Sequence, residues 1–321
     1  MSRWKGMWLV MSIVGIVVMA ITTGAPAYGE TFSFGIIADP HIDGNPDHLA
    51  KFNAAVDWMI ENKESKDIEL VFVVGDIAWG TTDGQSNLEI AKAKLDELNE
   101  AGIPYIPLIG DNEVQAGYEE EFNDVFGDQY TYLSSILNNW SKAPTPVNGM
   151  YLQNFSFDYK YCHFTCADFV SRAPGDEGGE LHDFTGGSWP WFKNDIRYCS
   201  KPKKENINIM THIGMFRTGI GSADQYLFSS SEMSKIKNFI YGYRKYVDSN
   251  YAGHIHQNWT QDVWIFRGWW FYHLYTARVT DETWYDTRWP ESNDQELTVR
   301  WVTVDNGGSK ITYTQHIEDI D

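Results

Sequence analysis

Four predominantly apolar runs alternate with amphipathic segments and determine the predicted architecture. The runs are typical of strands buried on both faces: Phe34–Ala38, Leu70–Val74, Ile106–Ile109 (with its strand starting at Ile103) and Ile207–Met210. Between the first three, apolar residues recur at helical spacing, which predicts helices over residues 47–63 and 88–98. This strand–helix alternation indicates parallel strands joined by right-handed crossovers.

The rest of the chain mixes helical and strand patterns and is richer in aromatic residues. It predicts helices over 117–140, 189–198 and 232–247, antiparallel strands within 151–170, a strand over 249–252, a Gly-rich acidic loop over 171–188, and a β-rich end over 263–321. No internal repeat or interdomain linker interrupts this order. The pattern therefore predicts an α/β fold in which two sheets pack face to face with helices outside.

The first 29 residues have the pattern of a secretory signal peptide. Arg3 and Lys5 precede the almost wholly apolar segment Trp8–Ile21, and small residues up to Gly29 fit a cleavage site. This apolar segment has 14 residues, whereas a membrane-spanning helix needs ~20, so cleavage is favoured over an uncleaved anchor. We expect residues 30–321 to form a single domain outside the cytoplasm, with no later membrane span.

The composition is acidic, with a formal net charge of −19 at pH 7. A surface of this charge repels the backbone of DNA and RNA, so nucleic-acid binding and nuclease activity are disfavoured.

The three cysteines are an odd number for a chain expected outside the cell. Cys162 and Cys166 share one face of a predicted strand but lie too far apart to bond to each other. We therefore expect a disulfide between Cys199 and one of these two residues.

Five short motifs place metal-binding side chains where predicted strands meet loops. They are Asp39-Pro40-His41, Gly75-Asp76, Gly110-Asp111-Asn112-Glu113, Thr211-His212 and Gly253-His254-Ile255-His256. Side chains that follow parallel strands collect at one edge of an α/β sheet, where ligands bind. Three carboxylates and four imidazoles at such an edge are enough to hold two divalent ions that share one bridging aspartate.

On these motifs the chain resembles the calcineurin-like metallophosphoesterases over about residues 33–260. The resemblance implies a four-layer α/β/β/α sandwich with two mixed β-sheets. It implies that Asp39, His41 and His256 hold one metal ion, that Asp76 bridges, and that Asp111, His212 and His254 hold the second ion. The ions would be Mn, Fe, Zn, Mg or Co, and a metal-bridging hydroxide would attack phosphorus.

The third motif departs from the family pattern, which reads Gly-Asn-His followed by Asp or Glu. Asp111 keeps a metal ligand at the Asn position, and Glu113 is expected to support the second metal ion from outside its ligand shell. Asn112 replaces the histidine that contacts phosphate and protonates the leaving group, and an amide cannot deliver a proton. Asp76 and Asn112 are the candidate catalytic residues, and His48, His182 and Asp183 are candidate replacement acids, each of which is otherwise a solvated surface residue.

A further departure concerns Trp79, three residues after Asp76. Purple acid phosphatases carry an iron-binding tyrosine there, and tryptophan cannot bind a metal, so the sequence argues against that branch. Trp79, Trp259, and either Trp269 or Trp270 are candidates for stacking against a base or sugar.

The favoured hypothesis is a secreted, dinuclear-metal-dependent hydrolase of phosphomono- or phosphodiesters, acting on small or glycan-linked phosphate esters. Diesters are favoured slightly because they carry less charge and are repelled less by an acidic protein. The alternative is a catalytically impaired protein on the same fold that binds metal or a phosphate ligand without turnover. Asn112 is the residue that supports this alternative.

Overall fold

A computed structural model describes residues 30–79, 83–200, 206–219, 223–266, 269–276, 298–307 and 311–320. The predicted signal peptide at residues 1–29 lies outside these ranges and stays a prediction. Within the described ranges, helices are too short or too polar for any of them to cross a membrane.

Twelve strands and eight α-helices are described. The strands are β1 (Thr31–Ile37), β2 (Ile68–Val74), β3 (Tyr105–Leu108), β4 (Asn138–Lys142), β5 (Phe155–Tyr159), β6 (Cys162–Cys166), β7 (Ile207–Met210), β8 (Val247–Ala252), β9 (Trp259–Phe266), β10 (Trp269–Tyr275), β11 (Thr298–Asp305) and β12 (Thr312–Asp319). The helices are α1 (Pro46–Glu61), α2 (Lys63–Lys66), α3 (Gly84–Glu100), α4 (Asp111–Gln115), α5 (Glu119–Val125), α6 (Gly127–Ile136), α7 (Ser188–Ser200) and α8 (Ser230–Gly242), with a 3-10 turn at Ala223–Tyr226.

The strands form two mixed sheets, as predicted. The first has the order β12-β11-β1-β2-β3. Strands β1, β2 and β3 are parallel to one another, and β11 is antiparallel to both of its neighbours, β1 and β12. The second has the order β4-β5-β6-β7-β8-β10-β9, in which β6, β7, β8 and β10 are parallel. The carboxyl ends of β1, β2 and β3 belong to one sheet, and those of β7 and β8 belong to the other.

The inner faces of the two sheets pack against each other through aromatic side chains. Phe34 of β1 meets Phe164 of β6 with ring centroids 5.6 Å apart, and Phe72 of β2 meets Phe157 of β5 at 6.2 Å. All four rings are fully buried, and each contributes about 1.5–3 kcal/mol of hydrophobic stabilisation. This aromatic layer holds the two sheets together.

Helices cover the outer faces, as the pattern predicts, and complete the four-layer sandwich that the family resemblance implies. Helix α1 begins where the Asn45 side chain accepts a hydrogen bond from the Asp47 N–H, with Pro46 in the first turn. The buried faces of α1 and α3 join the core that includes the first sheet. On the other side, α7 and α8 bury Phe192 and Ile236 against the second sheet.

Two predicted helices are too long at their carboxyl ends. The helix predicted over 117–140 is two helices, α5 and α6, followed by strand β4, and the helix predicted over 232–247 ends at Gly242. Tyr130, Leu133 and Leu137 continue the helical spacing of buried positions towards β4, but the backbone at Leu137 is already extended and β4 pairs with β5. Long-range strand pairing overrides the local pattern at this point.

The predicted disulfide is wrong, because all three cysteines are free thiols and all are buried. Cys162 and Cys166 point into the core between the two sheets, as expected from their shared parity in β6. Cys199 lies on α7, which packs against the opposite face of the second sheet, beside His163. The sheet itself therefore separates Cys199 from both proposed partners.

Candidate metal centre

The seven predicted ligands follow the carboxyl ends of five strands and converge in one cleft between the sheets. Asp39 and His41 follow β1, Asp76 follows β2, Asp111 follows β3, His212 follows β7, and His254 and His256 follow β8. Their ligand atoms form two groups whose members lie within 4.8 Å of one another: Asp39, His41, Asp76 and His256 in the first, and Asp111, His212 and His254 in the second. The grouping parallels the division into two metal positions implied by the family resemblance.

The Asp76 carboxylate joins the two groups. Its Oδ2 lies 3.1 Å from His41 Nε2 in the first group, and its Oδ1 lies 3.4 Å from His212 Nε2 in the second. The residue is 2% exposed. With one oxygen towards each group, the carboxylate is placed to bridge two metal ions.

In the second group, backbone carbonyls orient two histidines. His212 Nδ1 donates to the Val74 carbonyl at 2.8 Å, which leaves Nε2 facing Asp111 Oδ1 at 2.7 Å. His254 Nε2 donates to the Tyr226 carbonyl at 3.0 Å, which leaves Nδ1 facing the same Asp111 oxygen at 2.8 Å. Because a carbonyl only accepts, the tautomer of each ring is fixed with its other nitrogen directed inward. Metal-binding histidines are held in this way.

In the first group, Asp39 is fully buried and held by backbone. Its two carboxylate oxygens accept from the His254 N–H at 2.9 and 3.1 Å. His41 and His256 face each other with ring centroids 4.9 Å apart, and His256 Nε2 lies 3.9 Å from Asp39 Oδ1. Oxygen and imidazole nitrogen donors of this kind suit Mn, Fe, Zn, Mg or Co ions.

Burial and charge strongly perturb the carboxyl groups. Burial raises the pKa of Asp39 to about 7, against the lowering effect of His212. Burial alone would also raise the pKa of Asp111, but His254 and His212 lower it overall. A bound cation would favour the ionised form of these carboxylates and the neutral form of the imidazoles beside them.

Five of the seven predicted ligands have backbone conformations in the left-handed region. These are Asp39 (φ 49°), His41 (φ 49°), Asp76 (φ 51°), His254 (φ 71°) and His256 (φ 52°). Such conformations cost of order 1–3 kcal/mol each for residues with a side chain, and they concentrate at functional sites. The cleft therefore carries backbone strain at the residues that converge on it.

The glycines of three motifs allow the ligands to approach one another. A Cβ at Gly110 would lie 2.1 Å from Asp76 N and Oδ1, and a Cβ at Gly253 would lie 2.7 Å from Asp39 Oδ2. A Cβ at Gly75, whose φ is +91°, would lie 2.4 Å from His212 Nδ1. Each glycine thus makes room for a ligand that comes from a different motif.

Asn112 lies beside Asp76, the predicted bridging residue. Its backbone N–H donates to Asp76 Oδ1 at 2.9 Å, its side-chain amide donates to Asp76 Oδ2, and the amide nitrogen lies 3.4 Å from His41 Nε2. The amide is therefore a hydrogen-bond donor at the centre of the cleft, where the family histidine is expected.

Glu113 is fully buried and supports the backbone of two ligand loops. Its carboxylate accepts from the Ala78 N–H and the Gly110 N–H, both at 2.8 Å. Burial, together with the Asp76 charge, raises the pKa of Glu113 to about 8. Glu113 holds the loop after Asp76 against the loop before Asp111, and so it positions both ligands.

A cavity of about 230 Å³ opens over the two groups. Besides the residues above, Trp79, Glu177, Tyr226 and Gln257 line it. The Trp79 ring stacks on the His41 ring with centroids 4.6 Å apart and is 46% exposed. The acidic loop predicted over 171–188 does reach the site, through Glu177, although no pattern in the sequence singles out this residue.

The candidate replacement acids lie elsewhere, and none is among the described residues that line the cavity. His48 bonds to Asp43 at 3.1 Å near the start of α1, and Asp183 pairs with Lys235 at 3.1 Å on the surface. His182 is buried and hydrogen-bonded to the Val170 carbonyl, which was not expected of a surface residue.

Of the tryptophans predicted to stack against substrate, Trp79 alone is among the described residues lining the cavity. Trp259 packs against the core beneath α7 and α8. The side chains of Trp269 and Trp270 lie outside the described part of the molecule.

Comparisons with known proteins agree with this geometry. The model of the calcineurin-like phosphoesterase family matches residues 32–258. No curated protein sequence matches the chain significantly.

Three solved structures are similar in fold. A dimetal phosphatase from Danio rerio has 12% identity and a TM-score of 0.54, over 88% of this chain and 98% of that one. The purple acid phosphatase PPD1 from yellow lupin (Lupinus luteus) has 15% identity and a TM-score of 0.59, over 91% of this chain and 52% of that one. A structure of PhoD has 12% identity and a TM-score of 0.53, over 93% and 71%. Because the family match covers most of the sequence, this chain belongs to the calcineurin-like phosphoesterases and is a metal-dependent phosphoric ester hydrolase.

Proposed function

We propose that the protein hydrolyses phosphate esters at a centre of two divalent metal ions bridged by Asp76, and that it prefers phosphodiesters. The observation that carries the proposal is the position of Asp76, whose carboxylate faces both donor groups at 3.1 and 3.4 Å. When bound, divalent ions supply positive charge for the phosphoryl oxygens and activate water for attack.

The residues of the chain have separable tasks in this proposal. Asp39, His41 and His256 would hold one ion, and Asp111, His212 and His254 the other, with Asp76 shared. The Asn112 side-chain amide, already placed beside Asp76, donates a hydrogen bond to the phosphate. Donors held in place before the reaction stabilise the charge that develops in the transition state.

Charge and shape at the cavity mouth support a preference for diesters. Glu177 is exposed on the cavity wall and repels the second negative charge of a monoester more than the single charge of a diester. The exposed Trp79 ring offers a flat apolar surface to the second ester group. A small or glycan-linked diester meets both conditions.

The absence of an imidazole at position 112 affects the leaving group. Without a positioned acid, turnover depends on leaving groups that need no proton, and a missing acid costs ~10²–10⁴-fold for those that do. Aryl esters should therefore react much faster than alkyl esters.

The test is hydrolysis of an aryl phosphodiester and an aryl phosphomonoester by protein stripped of metal and then supplied with Mn²⁺. We expect turnover of both, with higher kcat/KM for the diester, and loss of turnover in Asp76→Asn and after chelation. No turnover of either ester with any of the five metals would refute the proposal.

Asn112 also supports a second candidate, a protein that binds metal or phosphate on this fold with impaired catalysis. Asn112→His separates the two candidates. A large gain from near-zero activity indicates an impaired enzyme, whereas loss or no change indicates an enzyme adapted to asparagine.

We also propose that the enzyme acts outside the cytoplasm, as the signal-like pattern at residues 1–29 indicates. Amino-terminal sequencing of the exported protein should show a start at Glu30. Recovery of the whole chain in the cytoplasm would contradict this location.

A further inference from the structure

A second convergence of metal-binding side chains lies under α7, on the outer face of the second sheet. His163 on β6 points away from the core that Cys162 and Phe164 enter. Asp195 and Cys199 are four residues apart on α7, and so they share one helix face. The cluster lies on the face of the sheet opposite to the core between the two sheets, and the proposed reaction uses none of its members.

The potential ligand atoms of Asp195 and Cys199 both lie close to Nε2 of the His163 imidazole. His163 Nε2 lies 3.1 Å from Asp195 Oδ2 and 3.1 Å from Cys199 Sγ, and ligand atoms of all three residues lie within 4.8 Å of one another. In a tetrahedral zinc site with bonds of 2.0–2.3 Å, neighbouring donor atoms stand about 3.5 Å apart. Small rotamer adjustments would therefore make this arrangement a three-ligand site.

Surrounding side chains orient both the imidazole and the carboxylate. His163 Nδ1 is hydrogen-bonded to Asp158 Oδ1 at 2.7 Å. A second carboxylate therefore orients the imidazole through its other ring nitrogen. Asp195 accepts from the hydroxyl groups of Ser156 at 2.7 Å and Thr165 at 2.8 Å. A carboxylate on the outer nitrogen of a histidine is the usual support of a zinc ligand.

The alternative to a metal ion is a hydrogen-bonded network in which a protonated His163 donates to Asp158 and to Asp195. In that network Cys199 Sγ, which lies 3.1 Å from the same His163 Nε2, contributes only a weak S–H donor. One cation between the three atoms would satisfy all of them at once. The thiol and the imidazole are both buried, at 4% and 3% exposure.

We propose that His163, Asp195 and Cys199 form a third metal site, distinct from the dinuclear centre, for a thiolate-preferring divalent ion such as zinc. Mixed sulfur, nitrogen and oxygen donors select such ions over magnesium or calcium. The site joins helix α7 to strand β6, so a bound ion stabilises this side of the sandwich by favouring the folded state.

Cobalt(II) tests the proposal, because a thiolate bound to cobalt gives a charge-transfer absorption band that oxygen and nitrogen ligands do not give. None of the seven predicted ligands of the dinuclear centre is a cysteine, so the band reports on the third site alone. Full-length protein stripped of metal should show the band when Co²⁺ is added, and zinc should abolish it. Asp76→Asn should keep the band, which separates this test from that of the proposed activity.

Two matched variants make the assignment specific. Cys199→Ser should lose the band and about one zinc per chain, with manganese-dependent hydrolysis unchanged. Cys162→Ser, an equally buried thiol on the other face of the same sheet, should keep both. Absence of the band in the wild type, or its persistence in Cys199→Ser, would overturn the proposal.

The result does not depend on one variant folding correctly. Should circular dichroism show that Cys199→Ser is unfolded, Asp195→Asn provides the second test. In that variant the affinity for Co²⁺, measured from the thiolate band, should fall at least tenfold. A wild-type affinity for Co²⁺ in Asp195→Asn would overturn the proposal as well.

Discussion

Replacing Gly110 with alanine should weaken metal binding strongly, because the new Cβ would clash with Asp76. Gly110 has an extended backbone, with φ −112° and ψ 179°, which alanine adopts without strain. Its Cβ, however, would lie 2.1 Å from Asp76 N and from Asp76 Oδ1, and ordinary contacts start at 3.4 Å. The Asp76 loop would have to move by about 1.3 Å, the difference between these two distances.

That displacement exceeds what a metal centre tolerates. Ligand distances in protein metal sites vary by only ~0.2 Å, and a misplacement of ~1 Å costs ~10²-fold in rate. Because Asp76 faces both donor groups, both metal positions should be weakened together. We expect manganese affinity and kcat/KM each to fall at least ~10²-fold in Gly110→Ala.

The assay is calorimetric titration of Mn²⁺ into metal-free protein, together with aryl phosphodiester hydrolysis at saturating metal. Gly127→Ala is the matched control, because a Cβ there meets no atom within 4 Å and the backbone φ is not positive. That variant should match wild type in both measurements. Wild-type manganese affinity in folded Gly110→Ala would refute the claim that this glycine makes room for Asp76.

Asn112→Ala should lower kcat for an aryl diester ~10²-fold, since it removes a donor held over the cleft; steady-state kinetics with unchanged metal content would check this. Glu177→Gln should raise kcat/KM for an aryl monoester about fivefold, which corresponds to ~1 kcal/mol of repulsion relieved at an exposed position, and it should change kcat/KM for the diester less. Asp168→Asn should lower the free energy of unfolding in urea by ~3–5 kcal/mol, because the buried Asp168 carboxylate accepts from Arg172 at 2.7 and 2.9 Å, whereas Glu119→Gln at the partly exposed end of the same network should cost less. Burial alone would raise the pKa of Asp168, but Arg172 lowers it overall. The stabilisation that the Asp168 carboxylate gives the folded state is therefore complete above the unfolded pKa of ~3.9 and is lost as pH falls through the lower folded pKa. Asp168→Asn should not show this loss of stability with falling pH.

Local pattern was sufficient to predict that the seven candidate ligands lie at one edge of the sheets, where their ligand atoms form two groups. Each predicted ligand stands one to four residues after a predicted strand, and parallel strands bring their carboxyl ends to one edge. The helix boundaries were less predictable where β4 begins after Leu137 and pairs with β5. That pairing depends on a segment many residues away and leaves no mark on the local apolar spacing.

Features that depend on which faces meet in space could not be predicted. Side chains alternate between the two faces of a strand, so Cys162 and Cys166 must share one face. Nothing in the sequence indicates that α7 covers the opposite face. Glu177 comes from an exposed loop without periodicity. Gly110 is needed because a Cβ there would clash with Asp76. That contact joins distant parts of the chain, so local rules for glycine do not predict it.

We propose that seven side chains bind two metal ions that share Asp76 and act on a phosphate. Anomalous diffraction from crystals grown with Mn²⁺ and inorganic phosphate tests it most directly. Two manganese peaks should flank the Asp76 carboxylate, with phosphate in contact with both and within reach of the Asn112 amide. A single peak, or manganese bound away from Asp76, would contradict the shared two-metal site.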